Sequence, residues 1–478
     1  MIWDIVDFLV DFFEFGVFFY CTGILVSYWV ISVVSYHVVR AYIKETEKER
    51  FDELMGSPFL PSISIIAPAY NESVTIVDNI RSLLSLHYGK LEVIVVNDGS
   101  KDDTLQRAID AYDLEKVDWF YDMQVDTKNV RGVYKSKNPS FSKLIVVDKE
   151  NGGKADAINV GINVSSSTYF ACIDVDCIIE QDAFLKMVRP IMRNTKERIV
   201  AVGGIVWLTN DSIVKQGKLI DLKMPKKFVP RMQVLEYFRA FLLGRTAWSK
   251  FNGLLLISGA FGIFDREIVL EAGGYDHKTV GEDMELVMRM HALMREKKRP
   301  YRVSYIPEPL CWTEAPADYK ILGRQRNRWT RGTIECLLFH KKMFLNRKYG
   351  VLGLLSYPYW LLAEWLAPFV EFLGLIFFFI MALFGLANWE FFFYMVLLVY
   401  SMAISISAFA IFTQERTYSS YKRIGDLMMI FYTAMIEAVV YHPRTVLWSL
   451  RGNRDFATGS NKGWGEMTRA GFAKKPDA

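Results

Sequence analysis

The chain reads as an α/β domain with a mostly parallel sheet, inserted between transmembrane α-helices. Three observations predict this. Uncharged or nearly uncharged stretches flank the middle of the chain, at Phe15–Val38 and between Gly350 and Tyr441, and they are long enough to enter a bilayer. Between them, short near-continuous apolar runs alternate with helical patterns, as strands buried on both faces do. Carboxylate- and glycine-bearing turns follow those runs, where parallel sheets collect ligands at the carboxyl ends of their strands.

Taken in order, Phe15–Val38 has no Asp, Glu, Lys or Arg and is expected to span the membrane. Asp4, Asp7, Asp11 and Glu14 precede it and the run is long, which excludes a cleavable signal. Arg40, Lys44, Lys48 and Arg50 follow, so the positive-inside rule puts the N-terminus outside and residue 40 onward in the cytosol. Residues 40–60 read as a charged linker closed by Pro58 and Pro61, and 61–332 as the cytosolic domain. Strands are expected at Ser62–Pro68, Leu91–Val96, Leu144–Asp148 and Tyr169–Asp174. Helices are expected at Glu72–Leu86, Asp102–Tyr112, Ala155–Ile162 and Met284–Arg295. Trp329–Phe344 is amphipathic and ends in His340, Lys341 and Lys342, so 333–349 reads as an interfacial helix. Transmembrane or interfacial helices fill 350–443, and 444–478 is a basic cytosolic tail. Gly350–Asn388 is expected to cross once, broken near Pro368, and Phe391–Thr413 to return. Ile424–Pro443, which holds Asp426 and Glu437, would then re-enter without crossing, keeping Arg416, Lys422, Arg423 and the tail cytosolic.

Composition narrows the class. The 478 residues suit two or three domains, and the 51% hydrophobic and 15% aromatic content is concentrated in the flanking segments. A net charge of +4 is small, and the basic residues sit beside apolar segments, as a membrane flank rather than a nucleic-acid surface. Cys21, Cys172, Cys177, Cys311 and Cys336 form no CxxC pair, and the six histidines have no zinc-like spacing. They read as reduced, buried thiols in a reducing compartment.

The chemistry sits in short motifs. Asp174-Val175-Asp176 places two carboxylates on one side of an extended strand end, a hard-oxygen set suited to Mg2+ or Mn2+ together with phosphates. Asn97-Asp98-Gly99-Ser100 is either an Asx turn or a ligand-binding turn. Gly152-Gly153-Lys154 offers a cation beside backbone free of side chains. Gly281-Glu282-Asp283 either caps a helix or supplies a general base. Gln325-Arg326-Asn327-Arg328-Trp329 combines a guanidinium that can grip phosphate with an indole face that suits a pyranose ring, on what is otherwise a basic interfacial helix.

These motifs, preceded by Ala67-Pro68-Ala69-Tyr70-Asn71-Glu72, occur in one fixed order that closely resembles the processive, membrane-embedded family 2 glycosyltransferases. These include cellulose, chitin, hyaluronan and poly-N-acetylglucosamine synthases. Gln233–Tyr237, Ser258–Gly262 and Trp312–Pro316 resemble a subgroup of them. The resemblance implies a GT-A-type nucleotide-sugar-binding domain. It assigns Asp283 as the base, and Tyr70, Asn71, Glu72, Asp98, Lys154, Asp174 and Arg328 to the donor. Glu282, Gln325, Trp329, Gly259 and Ala260 fall to the acceptor, and Asp176 to the metal, Mg2+ or Mn2+. It implies an inverting enzyme that joins a UDP-sugar, favoured as UDP-N-acetylglucosamine, to a growing β-linked polysaccharide. Its place would be the bacterial plasma membrane, multi-pass, with the catalytic domain cytosolic. The alternatives are UDP-glucose as donor, or one transfer to a lipid-linked acceptor. No cyclic-dinucleotide module is recognisable, so a regulator, if present, is expected as a separate small membrane subunit. Glu364 and Glu371 lie two helical turns apart on the face of Pro368, and Glu437 is a third carboxylate at membrane depth. They either pair with interfacial arginines or line a hydrated channel for the polymer.

Overall fold

A computed structural model describes residues 2–47, 55–174, 177–215 and 218–460. Asp176, the expected metal ligand, lies outside the described residues.

The sheet has ten strands. In chain order they are β1 (Ile63–Ala69), β2 (Leu91–Asp98), β3 (Leu114–Val117), β4 (Val130–Ser136), β5 (Leu144–Lys149), β6 (Tyr169–Ile173), β7 (Ile178–Ile179) and β8 (Arg198–Leu208). A separate hairpin, β9 (Ile213–Lys215) and β10 (Lys218–Asp221), precedes β11 (Phe261–Asp265) and β12 (Tyr301–Thr313). The spatial order is β3-β4-β5-β2-β1-β6-β11-β8-β12-β7. Pairing directions make seven of the ten strands run one way, with β4, β11 and β7 reversed. The four expected strands are the contiguous parallel block β5-β2-β1-β6. Their apolar side chains are almost wholly excluded from water, as helices on both faces require. β8, β11 and β12, which extend this block, were not among the expected strands.

Register decides which residues meet. Ala69 pairs with Asn97, Asp98 with Lys149, and Ile66 with Cys172. The carboxyl ends of β1, β2, β5 and β6 therefore share one edge, with Tyr70, Asp98, Lys149 and Asp174 along it. The first helix is Ile76–Leu84, shorter than expected, because residues 71–75 serve a turn instead. There Asn71 is left-handed (φ 56), and the Glu72 N–H donates to Thr104 Oγ1 at 2.8 Å.

The flanking helices differ from expectation in their ends. The N-terminal one is a single helix of 45 residues, Ile2–Thr46, that runs past Val38 into the supposed linker. Tyr42 on its last turns donates to Glu308 at 2.5 Å and so docks it on the domain. The expected interfacial helix is instead the end of Tyr319–Phe339, a helix that starts within the catalytic domain, followed by two short 3-10 turns. Leu352–Leu383 is continuous rather than broken near Pro368, because a widened turn at Trp360–Leu366 precedes the proline. Ile424–Thr458 is likewise one helix of 35 residues. With Val10–Thr46 and Trp389–Thr417, four helices among the described residues are long and apolar enough to cross a membrane.

Candidate active site

The edge expected to take the donor is a dense polar network. Asp98 is buried, and both of its oxygens are used: Oδ1 accepts from Lys149 Nζ (2.7 Å) and Gly152 N (2.9 Å), Oδ2 from Gly153 N (2.8 Å) and Asn151 Nδ2 (3.2 Å). Gly153 reaches this position at φ 87, which a side chain would strain. Lys149, wholly buried, also pairs with Asp156 at 2.7 Å, so a cation is held between two carboxylates. The turn after β1 is tied in by Asn71 Oδ1, which accepts from Lys101 N at 2.9 Å, and by Asn71 N, which donates to Ser100. Glu72 accepts from Thr75 at 2.8 Å, and Tyr70 stands half-exposed above the turn. Lys149 escaped the sequence reading, although an Asp-Lys pair closing an apolar strand was its signal.

The centre joins this edge to Asp283, the expected base. Lys154 donates to Asp174 and, at 3.2 Å, to the Gly259 carbonyl. Burial works against the charge on Lys154, but Asp174, aided by Cys172 and Glu282, outweighs it and holds the ammonium pKa above its ordinary value. On the other side of Gly259, its N–H donates to Asp283 Oδ2 at 3.1 Å. Asp283 Oδ1 accepts from Met284 N at 2.9 Å. Asp283 therefore occupies the first turn of the helix Glu282–Glu296, and Gly281 rather than an acidic residue takes the capping position. Glu282 beside it is 3% exposed, and its Oε2 has no hydrogen-bond partner. Burial and the charge of Asp283 push its carboxyl up to about 7, with Lys154 and Arg328 pulling the other way.

Two glycines bring the helix Tyr319–Phe339, where acceptor contacts are expected, against this turn. A Cβ on Gly281 would lie 2.9 Å from the Gly332 Cα, and one on Gly332 would lie 2.8 Å from the Gly281 Cα. Backbone thus touches backbone where the Glu282–Glu296 helix meets Tyr319–Phe339. Glu335 fastens the joint by accepting from Thr279 Oγ1 (2.7 Å) and Val280 N (3.0 Å). Asp318 caps the second helix through Lys320 N at 2.7 Å. On it, Gln325 is buried with Oε1 unpartnered, and Arg326 pairs with Glu236 at 2.8 Å while its guanidinium lies 4.2 Å from the Trp329 ring centroid. Arg328 donates toward the Val280 carbonyl at 3.4 Å. Trp329 keeps 39% of its surface exposed, facing the cavity.

One cavity of about 1340 Å3 collects these groups. Tyr70, Asn71, Glu72, Asp98, Lys154, Asp174, Gly259, Ala260, Glu282, Asp283, Gln325, Arg328 and Trp329 all line it. So do Glu364, Glu371 and Glu437, and with them Tyr20 and Tyr28 of the N-terminal helix. The three membrane-depth carboxylates are paired as well as cavity-lining. Tyr28 donates to Glu364 at 3.2 Å, His442 meets Glu371 at 2.7 Å, and Arg239 grips Glu437 through two bonds of 2.9 and 2.7 Å. Only Glu437 takes an arginine. Arg239 and Arg245 also face the cavity and carried no sequence signal, since a spacing of six does not repeat on one face of an α-helix.

The donor set suits a hard divalent cation. Asp174 presents a part-exposed carboxylate to the cavity. Among the described residues no group of three or more His, Cys, Asp or Glu could cage a metal, so a cation here would need phosphate oxygens to complete its shell.

Residues 64–230 match Glycosyl transferase family 2, and residues 169–407 match Glycosyl transferase family group 2. A poly-beta-1,6-N-acetyl-D-glucosamine synthase of Staphylococcus aureus is 30% identical over 317 residues, 65% of this chain and 63% of that protein. The Staphylococcus epidermidis synthase of the same name is 28% identical over 318 residues, with the same shares. This chain thus spans less than two thirds of these relatives. Among solved structures, the mannosyltransferase PcManGT from Pyrobaculum calidifontis, in complex with GDP-Man and Mn2+, is 14% identical with a TM-score of 0.49, covering 92% of this chain and 99% of that one.

Proposed function

The chain belongs to the family 2 glycosyltransferases, and from that premise we propose that it polymerises UDP-N-acetylglucosamine into a β-linked polysaccharide and passes the polymer across the bacterial plasma membrane. One observation carries this reading: a single cavity runs from the Asp98–Lys154–Asp174 edge past Asp283 and Trp329 to Glu364, Glu371 and Glu437 on the apolar helices. A site for one transfer to a small acceptor needs no such extension. The likeness to poly-beta-1,6-N-acetyl-D-glucosamine synthases favours N-acetylglucosamine over glucose and a 1,6-linkage.

The roles follow from position. The donor's base and ribose sit at the Asp98 turn with Tyr70, Asn71 and Glu72, and its diphosphate between Lys154, Asp174 and Arg328. Asp176 and the diphosphate would hold Mg2+ or Mn2+, which supplies charge neutralisation of the leaving group. The terminal sugar of the polymer stacks on Trp329, with Gln325, Glu282 and the Gly259–Ala260 loop around it. Its hydroxyl oxygen attacks C1 of the donor from the face opposite UDP. The hydroxyl proton goes to Asp283, the C1–O bond to UDP breaks, and C1 inverts to the β-configuration. Both ends of Ile424–Thr458 are tied to the catalytic domain, Arg423 to Asp221 at 2.8 Å and Asp455 to Asn327 at 2.9 Å. This supports a last helix that lies along the cytosolic domain, with the tail inside. Cysteine placed at Ser460 should resist an impermeant reagent in intact cells, and labelling there would refute a cytosolic tail.

The purified protein, offered each UDP-sugar in turn, should release UDP and build a long product from UDP-N-acetylglucosamine that a β-1,6-specific hydrolase degrades. A long product from UDP-glucose alone, or one sugar added to lipid, would replace this reading.

A further inference from the structure

Among the described residues, four helical stretches carry widened, π-type turns: Phe238–Arg245, Leu352–Ser356, Trp360–Leu366 and Glu437–Tyr441. Three of them have an evident cause. Pro358, Pro368 and Pro443 each stand two residues beyond the widened turn, and a proline lacks the N–H for a regular turn and crowds the carbonyl before it. Phe238–Arg245 is followed by Thr246-Ala247-Trp248-Ser249-Lys250, with no proline. Widened turns of this kind are frequent at functional sites. Here the turn sets Arg239, Ala240, Phe241, Gly244 and Arg245 along the wall of the cavity.

The two arginines differ in their partners. Arg239 is saturated by Glu437 and by Ser407 Oγ at 2.7 Å. Arg245 lies flat on Phe241, its guanidinium carbon 3.7 Å from the ring centroid. No described carboxylate stands within ion-pair distance of it, and its Nη1 is buried without a hydrogen-bond partner. The Tyr305 hydroxyl faces the guanidinium as a hydrogen-bond partner, and the Tyr237 hydroxyl and Asp283 face it electrostatically. The half-buried guanidinium keeps its charge, and an enclosed donor left unmatched is costly, so Nη1 marks the place of a missing acceptor atom.

We propose that Arg245 is a positioning residue whose Nη1 donates to an oxygen of the acceptor's terminal sugar, fixing the ring so that its hydroxyl faces Asp283. This rests on the polymerase reading above. Phe241 holds the planar fork in place, and Arg328 serves the opposite, donor side. The oxygen is a ring hydroxyl or an acetamido carbonyl, since both accept from a guanidinium.

The test uses full-length protein in detergent micelles with UDP-N-acetylglucosamine as donor and N-acetylglucosamine, glucosamine or glucose as added acceptor. In Arg245→Gln the KM for acceptor should rise about tenfold and the ratio of sugar transfer to donor hydrolysis should fall as much, with a far smaller rise in the KM for donor. Arg245→Lys should recover part of the loss. A penalty larger for N-acetylglucosamine than for glucosamine identifies the acetamido carbonyl, and an equal penalty identifies a hydroxyl. An unchanged acceptor KM, or equal changes in acceptor and donor KM, overturns the proposal. If Arg245→Gln does not fold, Arg245→Lys decides on the same two readouts. Failure of the unaltered protein to transfer sugar at all would instead overturn the polymerase reading.

Discussion

The two ends of the reaction chamber are built differently. At the donor edge Asp98 meets four protein donors, Lys149 two carboxylates, and Lys154 both Asp174 and a carbonyl. At the acceptor wall Glu282 Oε2, Gln325 Oε1 and Arg245 Nη1 are buried and unmatched. Pairing around Asp98 and Lys149 is dense, although Asn97 Oδ1 is buried without a partner, and a densely paired network is rigid, which on the proposed reading suits a nucleotide that binds the same way in every cycle. On the proposed reading, unmatched groups would take their partners from the ligand, which suits a polymer advancing by one sugar each turn. The difference teaches that rigidity is placed where the ligand is constant.

The sharpest break of this comparison is Asp283→Asn. Transfer should fall by about 10²–10⁴-fold, the usual worth of a general base, while calorimetry shows near-normal UDP-sugar binding. Near-normal polymer yield would remove Asp283 from the mechanism. Asp98→Ala should act on the other end and on the fold itself. It strips a carboxylate from buried Lys149 and two N–H groups, and breaking such a buried pair costs about 3–5 kcal/mol. A thermal midpoint close to that of the unaltered protein would show that the network is not rigid.

Gly332→Ala should separate the two regions rather than damage either. The added carbon meets the Gly281 backbone, and overpacking of this kind costs about 1–3 kcal/mol. Donor binding should persist while transfer falls, read as UDP affinity against polymer yield. Glu282→Gln should alter the pH dependence. Burial and Asp283 raise this carboxyl from 4.5 to about 7, so across that interval the folded chain binds more proton than the unfolded one. The raised pKa thus erodes stability as pH rises through 4.5–7, and the erosion is complete above 7. The glutamine variant should flatten that part of the stability profile, and an unchanged slope would assign it to other groups. The smallest effect is expected of Glu371→Leu, which leaves His442 without its partner but touches no reacting atom. UDP release should continue and the polymer should shorten on a gel, and full-length product would exclude a channel role for Glu371.

The apolar runs at 63–69, 91–98, 144–149 and 169–173 were legible as parallel strands because strands buried on both faces lose alternation and become continuous. The motif turns were legible because Gly, Asp and Asn mark strand ends locally. β11 and β12 were not, since β11 runs against its neighbours and β12 alternates irregularly across three register shifts. Local pattern carries no direction for a strand reached by a long excursion.

By itself the sequence determined the helical flanks, the parallel block and the identity of the chemical groups, all of which depend on periodicity and residue type within a few turns of chain. Only the tertiary structure decided their company. It set Gly281 against Gly332 across 51 positions of chain, made Asp98 the anchor of the Gly152–Gly153 turn, and gave Glu437 an arginine but Glu364 a tyrosine. It also left Arg245 Nη1 enclosed without a hydrogen-bond partner. Pairings of this kind are fixed by register and helix packing, which sum over the whole core, so no local stretch of sequence encodes them.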